Sequence, residues 1–381
     1  MRTSVIGVGL FAAIMSTSAL QAGTAKQADF GELEDGRSVE AITLDNGKVT
    51  ATVITYGASL YKLEMPGRDG KRADVVLGYP KLSDYIDEPQ YIGSTVGRFA
   101  NRLAYGRFKV DGRTYQTPVN DGVNSLHGGT AGFDKVLWTV QSMKSGPDAS
   151  VTMRYISPDG DQGYPGNMTV DATYSLNDAN ELRIEYRATT DKRTIANITN
   201  HAYWNLAGEG SADGAMDHVL MIPAQTYLPT DKGSIPTGKK QRVEGTAFDF
   251  RTPHAVGERV RDASEQQLVY ARGYDHNWIV GDKVTADQHL MAMMYDPASG
   301  RGFELWSNQP GLQFYSGNFL DATTSGKAGM LYREGDAIVL EPQIFPDTPN
   351  QSGFPTAILD PGQTYYNVMT YRLTFDNPKA K

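Results

Sequence analysis

Apolar and polar positions alternate with a period of two along much of this chain. Residues 151–156, 168–176, 182–188 and 365–375 all follow that pattern. Such alternation predicts strands with one face buried and the other wet. Two hairpins are written into the turns. Residues 41–44 lead into Asp45-Asn46-Gly47 and then 48–55; residues 107–110 lead into Asp111-Gly112 and then 113–115. Asn-Gly and Asp-Gly favour tight hairpins because both residues tolerate positive φ. Helix-length amphipathic stretches are scarce, no repeat of fixed period occurs, and no Pro/Ser linker interrupts the chain between about residues 30 and 378. The expected fold is all-β, a single large antiparallel β-sandwich.

Composition narrows the class of partner. The 381 residues include no cysteine, 40 glycines and 21 tyrosines, with a formal net charge of −8. No basic run is present, so nucleic acid is not an expected partner, because phosphate binding takes clustered Lys and Arg. Arg2 precedes an apolar stretch over residues 5–15, and small residues follow up to Ala19, Ala22 and Ala25. Charge, then apolar run, then small residues is the order of a secretory signal. Residues 1–25 are therefore expected to be a signal peptide, cut after Ala22 or Ala25, and residues 26–381 a single domain. Export to a bacterial periplasm or the medium follows. Gly7-Val8-Gly9-Leu10-Phe11-Ala12 matches a dinucleotide fingerprint, but polar residues 21–29 follow it where a βαβ unit should continue. A nucleotide is not expected. No other apolar run approaches the ~20 residues that span a bilayer, so no membrane association is expected after signal cleavage.

Several residues carry chemistry that alternation alone does not explain. The apolar residues 337–340 run straight into Glu341-Pro342-Gln343. Pro342 is expected to stop the ladder and to disfavour helix at Glu341. That would fix a carboxylate at a strand end, a suitable place for a general base. Of six histidines, two have unusual settings. His127 precedes Gly128-Gly129, where glycines allow backbone to approach a ligand closely. His201 lies among amides and aromatics in residues 197–206, where it suits either a site or a core position satisfied by Asn200. Arg98 and Arg102 stand among neutral residues, as an anion or hydroxyl clamp would. Asp275, followed by His276-Asn277-Trp278, suits a carboxylate that accepts sugar hydroxyls beside an aromatic face, or a plain loop aspartate. Residues 309–319 add further amides and aromatics. His127, His201, Asp275 and Glu341 are metal-ligand types, yet no pair has the helical spacing of a metal motif, and no metal is expected. No Gly-x-Ser-x-Gly elbow for a serine nucleophile is present.

Six segments in order carry a resemblance. They are residues 97–102, Leu126-His127-Gly128-Gly129, residues 199–206, Asp275-His276-Asn277, residues 312–319, and Glu341-Pro342-Gln343 with Phe345-Pro346-Asp347. Together they resemble the galactose mutarotase (aldose 1-epimerase) family from about Asp35 to Phe375. The resemblance implies a mutarotase-like supersandwich with a cofactor-free hexose site in an open cleft. It implies Glu341 as base, His201 as acid, and Asn101, Arg102, His127, Asp275 and Gln313 as sugar-binding residues. The implied reaction is an isomerisation, the exchange of α and β anomers of free aldoses of the galactose or glucose type. The implied partner is the small aldose itself, with the protein a monomer or homodimer. The export signal departs from the many cytoplasmic members. Three rival readings stand beside this one. A hexose-6-phosphate epimerase would need a cationic cluster, for which Arg98 and Arg102 are the close candidates. A non-catalytic sugar-binding protein would use the same fold. A polysaccharide hydrolase or lyase would take Asp275 as a second carboxylate.

Overall fold

The computed structural model describes residues 23–87 and 90–376. Residues 1–22, most of the expected signal peptide, lie outside the described residues. Antiparallel sheets of nine, six and five strands dominate, with several two-stranded pairs. Among the described residues, helix is confined to Leu82–Asp87, Gln266–Ala271 and single 3₁₀ turns.

The period-two segments become strands. Asp148–Ser157, Met168–Asn177, Glu181–Thr190 and Tyr365–Phe375 are successive neighbours in the nine-stranded sheet. Along Met168–Asn177 every second residue is buried and the others half-buried. Both hairpins form, the first over a four-residue loop 46–49 in which only Gly47 takes positive φ, the second as the tight turn its sequence predicts. Ser38–Asp45 pairs with Thr50–Ile54, and Arg107–Val110 pairs with Arg113–Gln116. Asp111 and Gly112 take φ of 50° and 77°, the two positive values that a tight hairpin matching strand twist requires.

One apolar core joins the three sheets. It takes Ile42 and Val53 from the five-stranded sheet, Tyr174, Ile184 and Tyr371 from the nine-stranded sheet, and Leu312, Phe314 and Leu340 from the six-stranded sheet. Each such side chain contributes roughly 1.5–3 kcal/mol on burial.

The six-stranded sheet positions the site. Its order runs Tyr203–Trp204, Ile338–Gln343, Gly311–Tyr315, Asp275–Ile279, Thr226–Leu228 and Gln241–Arg242. Cross-strand partners are Gln313 with Glu341, Asn277 with Gln313, and Asp275 with Tyr315. Side chains alternate between faces. Leu340, Leu312, Phe314 and Trp278 therefore enter the core, while Glu341, Gln313, Tyr315 and Asp275 share the opposite face.

Pro342 does not end its strand as expected. The strand continues to Gln343, with Pro342 opposite Leu312 and Gln343 opposite Gly311. The other edge explains why. Along Ile338–Gln343, Tyr203–Trp204 reaches only Val339 and Ile338, so that neighbour has ended before Glu341. The Pro342 carbonyl points to this vacated side and accepts from Thr199 Oγ1 (2.8 Å) and Asn367 Nδ2 (2.9 Å). The missing N–H faces the same way and leaves no ladder bond unmade. Glu341 thus sits within a paired strand and not at its terminus.

Candidate active site

An open cleft of about 420 Å³ lies on the polar face of the six-stranded sheet. Asn101, Arg102, His127, His201, Asp275 and Glu341 all line it. Gln313, the remaining sugar-binding residue that the sequence suggested, sits behind Asp275 and donates from Nε2 to Asp275 Oδ1 at 2.7 Å. All seven are buried.

At the floor, His201 Nε2 and Glu341 Oε1 are 3.8 Å apart. Neither Glu341 Oε2 nor His201 Nδ1 has a hydrogen-bond partner in the protein. Unmet buried polar atoms cost about 1–3 kcal/mol each, and a role in binding or catalysis is one explanation for carrying that cost. Burial pushes the Glu341 carboxyl well above the usual carboxylate range; the Asp275 charge adds to this and Arg102 opposes it. Burial also lowers His201, to about 4. The same cause pushes His127 well below the ordinary imidazole value, helped by His201 and Arg102. Both imidazoles are therefore neutral at pH 7.

Local backbone aims these groups. The His201 N–H donates to Ser94 O (2.8 Å), and its carbonyl accepts from Gly93 N–H (3.0 Å). Asn200 does not satisfy His201. Its amide donates to Gly93 O and the Tyr174 hydroxyl, and its Oδ1 takes the Ala202 N–H. Asn101 and His127 both adopt left-handed φ, 62° and 51°. Asn101 N–H donates to His127 Nδ1 at 3.1 Å. A ring nitrogen that accepts carries no proton, so neutral His127 presents an N–H from Nε2. Gly128 serves the protein's own packing and not a ligand. A Cβ there would lie 1.9 Å from Gly97 O.

The two arginines part company. Arg102 donates from Nε to Asp121 Oδ2 (2.7 Å) and from Nη1 to Asp275 Oδ2 (3.4 Å). Arg98 is buried and donates to Ser157 Oγ and to the carbonyls of Ser157, Pro158 and Pro165. It braces a loop and does not line the cleft. Asp275 belongs to the strand Asp275–Ile279 and is not a loop residue. Asp347 is structural: its N–H donates to Arg102 O (2.8 Å) and its Oδ1 takes the Ala104 N–H (2.9 Å).

His127, His201 and Glu341 place ligand-type atoms within 4.8 Å of one another, a grouping that sequence spacing did not reveal. With Nδ1 of His127 engaged and a proton on Nε2, the trio is a donor and acceptor set and not three free lone pairs. Other lining residues escaped the sequence. Tyr91 packs its ring 4.6 Å from His127 and 5.9 Å from His201. Asp121 carried no reading from the sequence alone. Tyr203, Tyr315 and Phe319 lay within quoted segments without an assigned role.

Comparison with known proteins agrees with this geometry. A family model described as aldose 1-epimerase matches residues 40–372. The chain belongs to the aldose 1-epimerase family. It is 42% identical to a galactose mutarotase from Homo sapiens over 349 residues, 91% of this chain and 98% of that protein. It is 36% identical to an aldose 1-epimerase from Escherichia coli (strain K12), over 89% of this chain and 96% of that one. Among solved structures, a galactose 1-epimerase from Lactobacillus acidophilus NCFM superimposes with a TM-score of 0.80 at 30% identity, covering 92% of this chain and 99% of that one. An aldose epimerase homologue from C. elegans does so with a TM-score of 0.79 at 31% identity, covering 93% and 100%. The fold of this epimerase-family chain is thus the mutarotase-like β-sandwich, and its class is isomerase.

Proposed function

We propose that the chain interconverts α and β anomers of free aldoses by acid–base opening and reclosure of the sugar ring. The observation that carries this reading is the Glu341–His201 pair, 3.8 Å apart at the floor of an open cleft. Ring opening needs a proton taken from the C1 hydroxyl and a proton given to the ring oxygen. Glu341 takes the first and His201 gives the second. The C1–O5 bond breaks and C1 becomes an aldehyde. Rotation about C1–C2 presents the other carbonyl face, and the pair recloses the ring with roles reversed. The atoms and electrons of substrate and product are the same, so the balance calls for no cofactor.

The pair works with one proton between its two ends. Without sugar, burial favours the uncharged form of each group and seats that proton on Glu341. Hydroxyls donating to the carboxylate favour its ionised form. The proton then resides on His201, where the Asp275 charge supports the imidazolium. Around this pair, Arg102, Asn101 and the His127 Nε2–H supply donors, Asp275 supplies acceptors, and Gln313 holds Asp275 from behind.

The rival readings fare less well. Arg98 is spent on backbone carbonyls and Arg102 is shared between two carboxylates. No uncommitted cation lines the cleft among the described residues, which favours a neutral sugar over a phosphorylated one. Asp275, held by Arg102 and Gln313, suits binding better than a hydrolytic role.

Polarimetry on freshly dissolved α-anomers of galactose, glucose, xylose and arabinose tests the reading. Acceleration above the spontaneous rate is expected for at least one. No acceleration of any would overturn it. Export belongs to the same proposal. The strand Thr24–Glu32 pairs from its first residue, Thr24 with Asp45 and Ala25 with Leu44. A cut after Ala22 leaves that pairing whole, whereas a cut after Ala25 removes two paired residues. Intact mass of protein from the native host is expected to begin at Gly23, and retention of Met1 would refute export.

A further inference from the structure

Asp121 lines the cleft beside Arg102. Its Oδ2 accepts from Arg102 Nε at 2.7 Å, and among the described residues no protein donor engages its Oδ1. The side chain is 36% exposed, against 10% for Asp275 on the other side of the same guanidinium. Asp275 is therefore the deep carboxylate and Asp121 the one at the mouth.

The turn that presents Asp121 is braced. Asp121 and Asn124 exchange backbone hydrogen bonds of 3.1 and 2.9 Å. The Asn120 side chain takes the Leu126 N–H (2.7 Å) and donates to Gly129 O (3.1 Å), which ties the turn to the His127 loop. Asn124 Nδ2 reaches Gly233 O at 3.1 Å.

Charge in the cleft is one-sided. Asp121, Asp275 and Glu341 line it against the single guanidinium of Arg102. Lys135, over the Tyr91 ring, is paired with Asp134 at 3.0 Å and is not among the lining residues. With both imidazoles neutral, the cleft stays net negative whether or not Glu341 is ionised. Like-signed walls focus the field on whatever enters.

Building on the epimerase reading, we infer that Asp121 is a recognition residue and that the cleft selects aldoses by charge, accepting cationic amino sugars and rejecting uronates. A unit charge on the sugar a few ångströms from carboxylates that share a single guanidinium changes binding by on the order of tenfold. The direction is favourable for an ammonium and unfavourable for a carboxylate.

The test compares galactose, its C2-amino and C6-amino derivatives and galacturonate, at a mildly acidic pH where the amines are protonated. Wild type is expected to turn over at least one amino sugar with kcat/KM no lower than for galactose, and galacturonate roughly tenfold less well. Asp121→Asn keeps the acceptor for Arg102 but removes the charge. It is expected to lower the amino-sugar to galactose ratio several-fold and to raise the galacturonate to galactose ratio. Ratios measured on one protein cancel any general loss from a displaced Arg102. Asp121→Glu restores the charge and is expected to restore the ratios towards wild type. Ratios unchanged in Asp121→Asn, or galacturonate accepted as well as galactose by wild type, would overturn the inference. Absence of any acceleration of galactose would instead count against the epimerase reading. Calorimetric titration of the same four sugars reads the charge preference without turnover, so the two failures remain distinct.

Discussion

The two faces of the six-stranded sheet are built from the same strands and do opposite work. On the core face, Leu340, Leu312, Phe314 and Trp278 are buried against apolar neighbours. On the cleft face, Glu341 and Gln313 stand one residue from Leu340 and Leu312, and Asp275 three from Trp278; all three are buried but polar. The core face gains free energy from burial. The cleft face gives some of it up, because Glu341 Oε2 and Gln313 Oε1 lack partners in the protein. The comparison teaches that the rigid scaffold and the reactive groups are separated by a single peptide unit. Stability and activity should therefore divide along the pleat.

The largest expected effect is on the cleft face. Glu341→Gln keeps shape but cannot take a proton, and should lower kcat by on the order of 10²–10⁴, as should His201→Asn. The double variant should be little worse than either single, because one ring opening needs both transfers. Polarimetry with the spontaneous rate subtracted measures this, and near wild-type rates in Glu341→Gln would end the acid–base assignment.

Crossing to the core face should move a different observable. Phe314→Ala is expected to cost roughly 3–5 kcal/mol of stability through lost burial and cavity formation. Chemical denaturation reads the loss, and KM of the protein that remains folded should stay near wild type. A large KM change with little destabilisation would show that the two faces are not separable in this way.

Between these lies Asp275→Asn, which keeps volume but removes the charge shared with Arg102 and Gln313. Its cost should be about 1–3 kcal/mol in transition-state terms, mostly as a higher KM. A collapse of kcat at constant KM would make Asp275 a catalytic carboxylate and revive the hydrolytic reading.

The pH profile sharpens the same contrast. The competent pair holds one proton. Acid adds a second as His201 titrates, so kcat/KM should fall below about pH 4. Base removes the last proton from Glu341, whose raised position sets the upper limb well above the usual carboxylate range. An acid limb near the ordinary imidazole value would contradict the burial argument. The smallest effect is expected from chelation. Activity should be unchanged in excess EDTA, and recovery only on adding Zn²⁺ would turn the His127–His201–Glu341 trio into a metal site.

What the sequence determined by itself is local. The strand periods and the Asp111-Gly112 turn depend on neighbours a few residues apart, so alternation and turn chemistry were enough to read them. The resemblance then picked out Glu341, His201 and the sugar-binding residues, and six of those seven side chains line one cleft. What only the tertiary structure decided depends on distant partners. Arg98 and Arg102 look alike in the chain, yet backbone carbonyls of residues 157–165 claim one and carboxylates at 121 and 275 claim the other. Pro342 looked like a stop because its missing N–H counts against a ladder. The early end of Tyr203–Trp204 removed that penalty. Asp121 drew no notice in the sequence, and only the approach of Arg102 made it part of the cleft. Periodicity reports how a residue relates to its own strand. Which charge meets which is set by how distant strands pack, and a contact across 173 residues, such as Arg102 with Asp275, leaves no local trace.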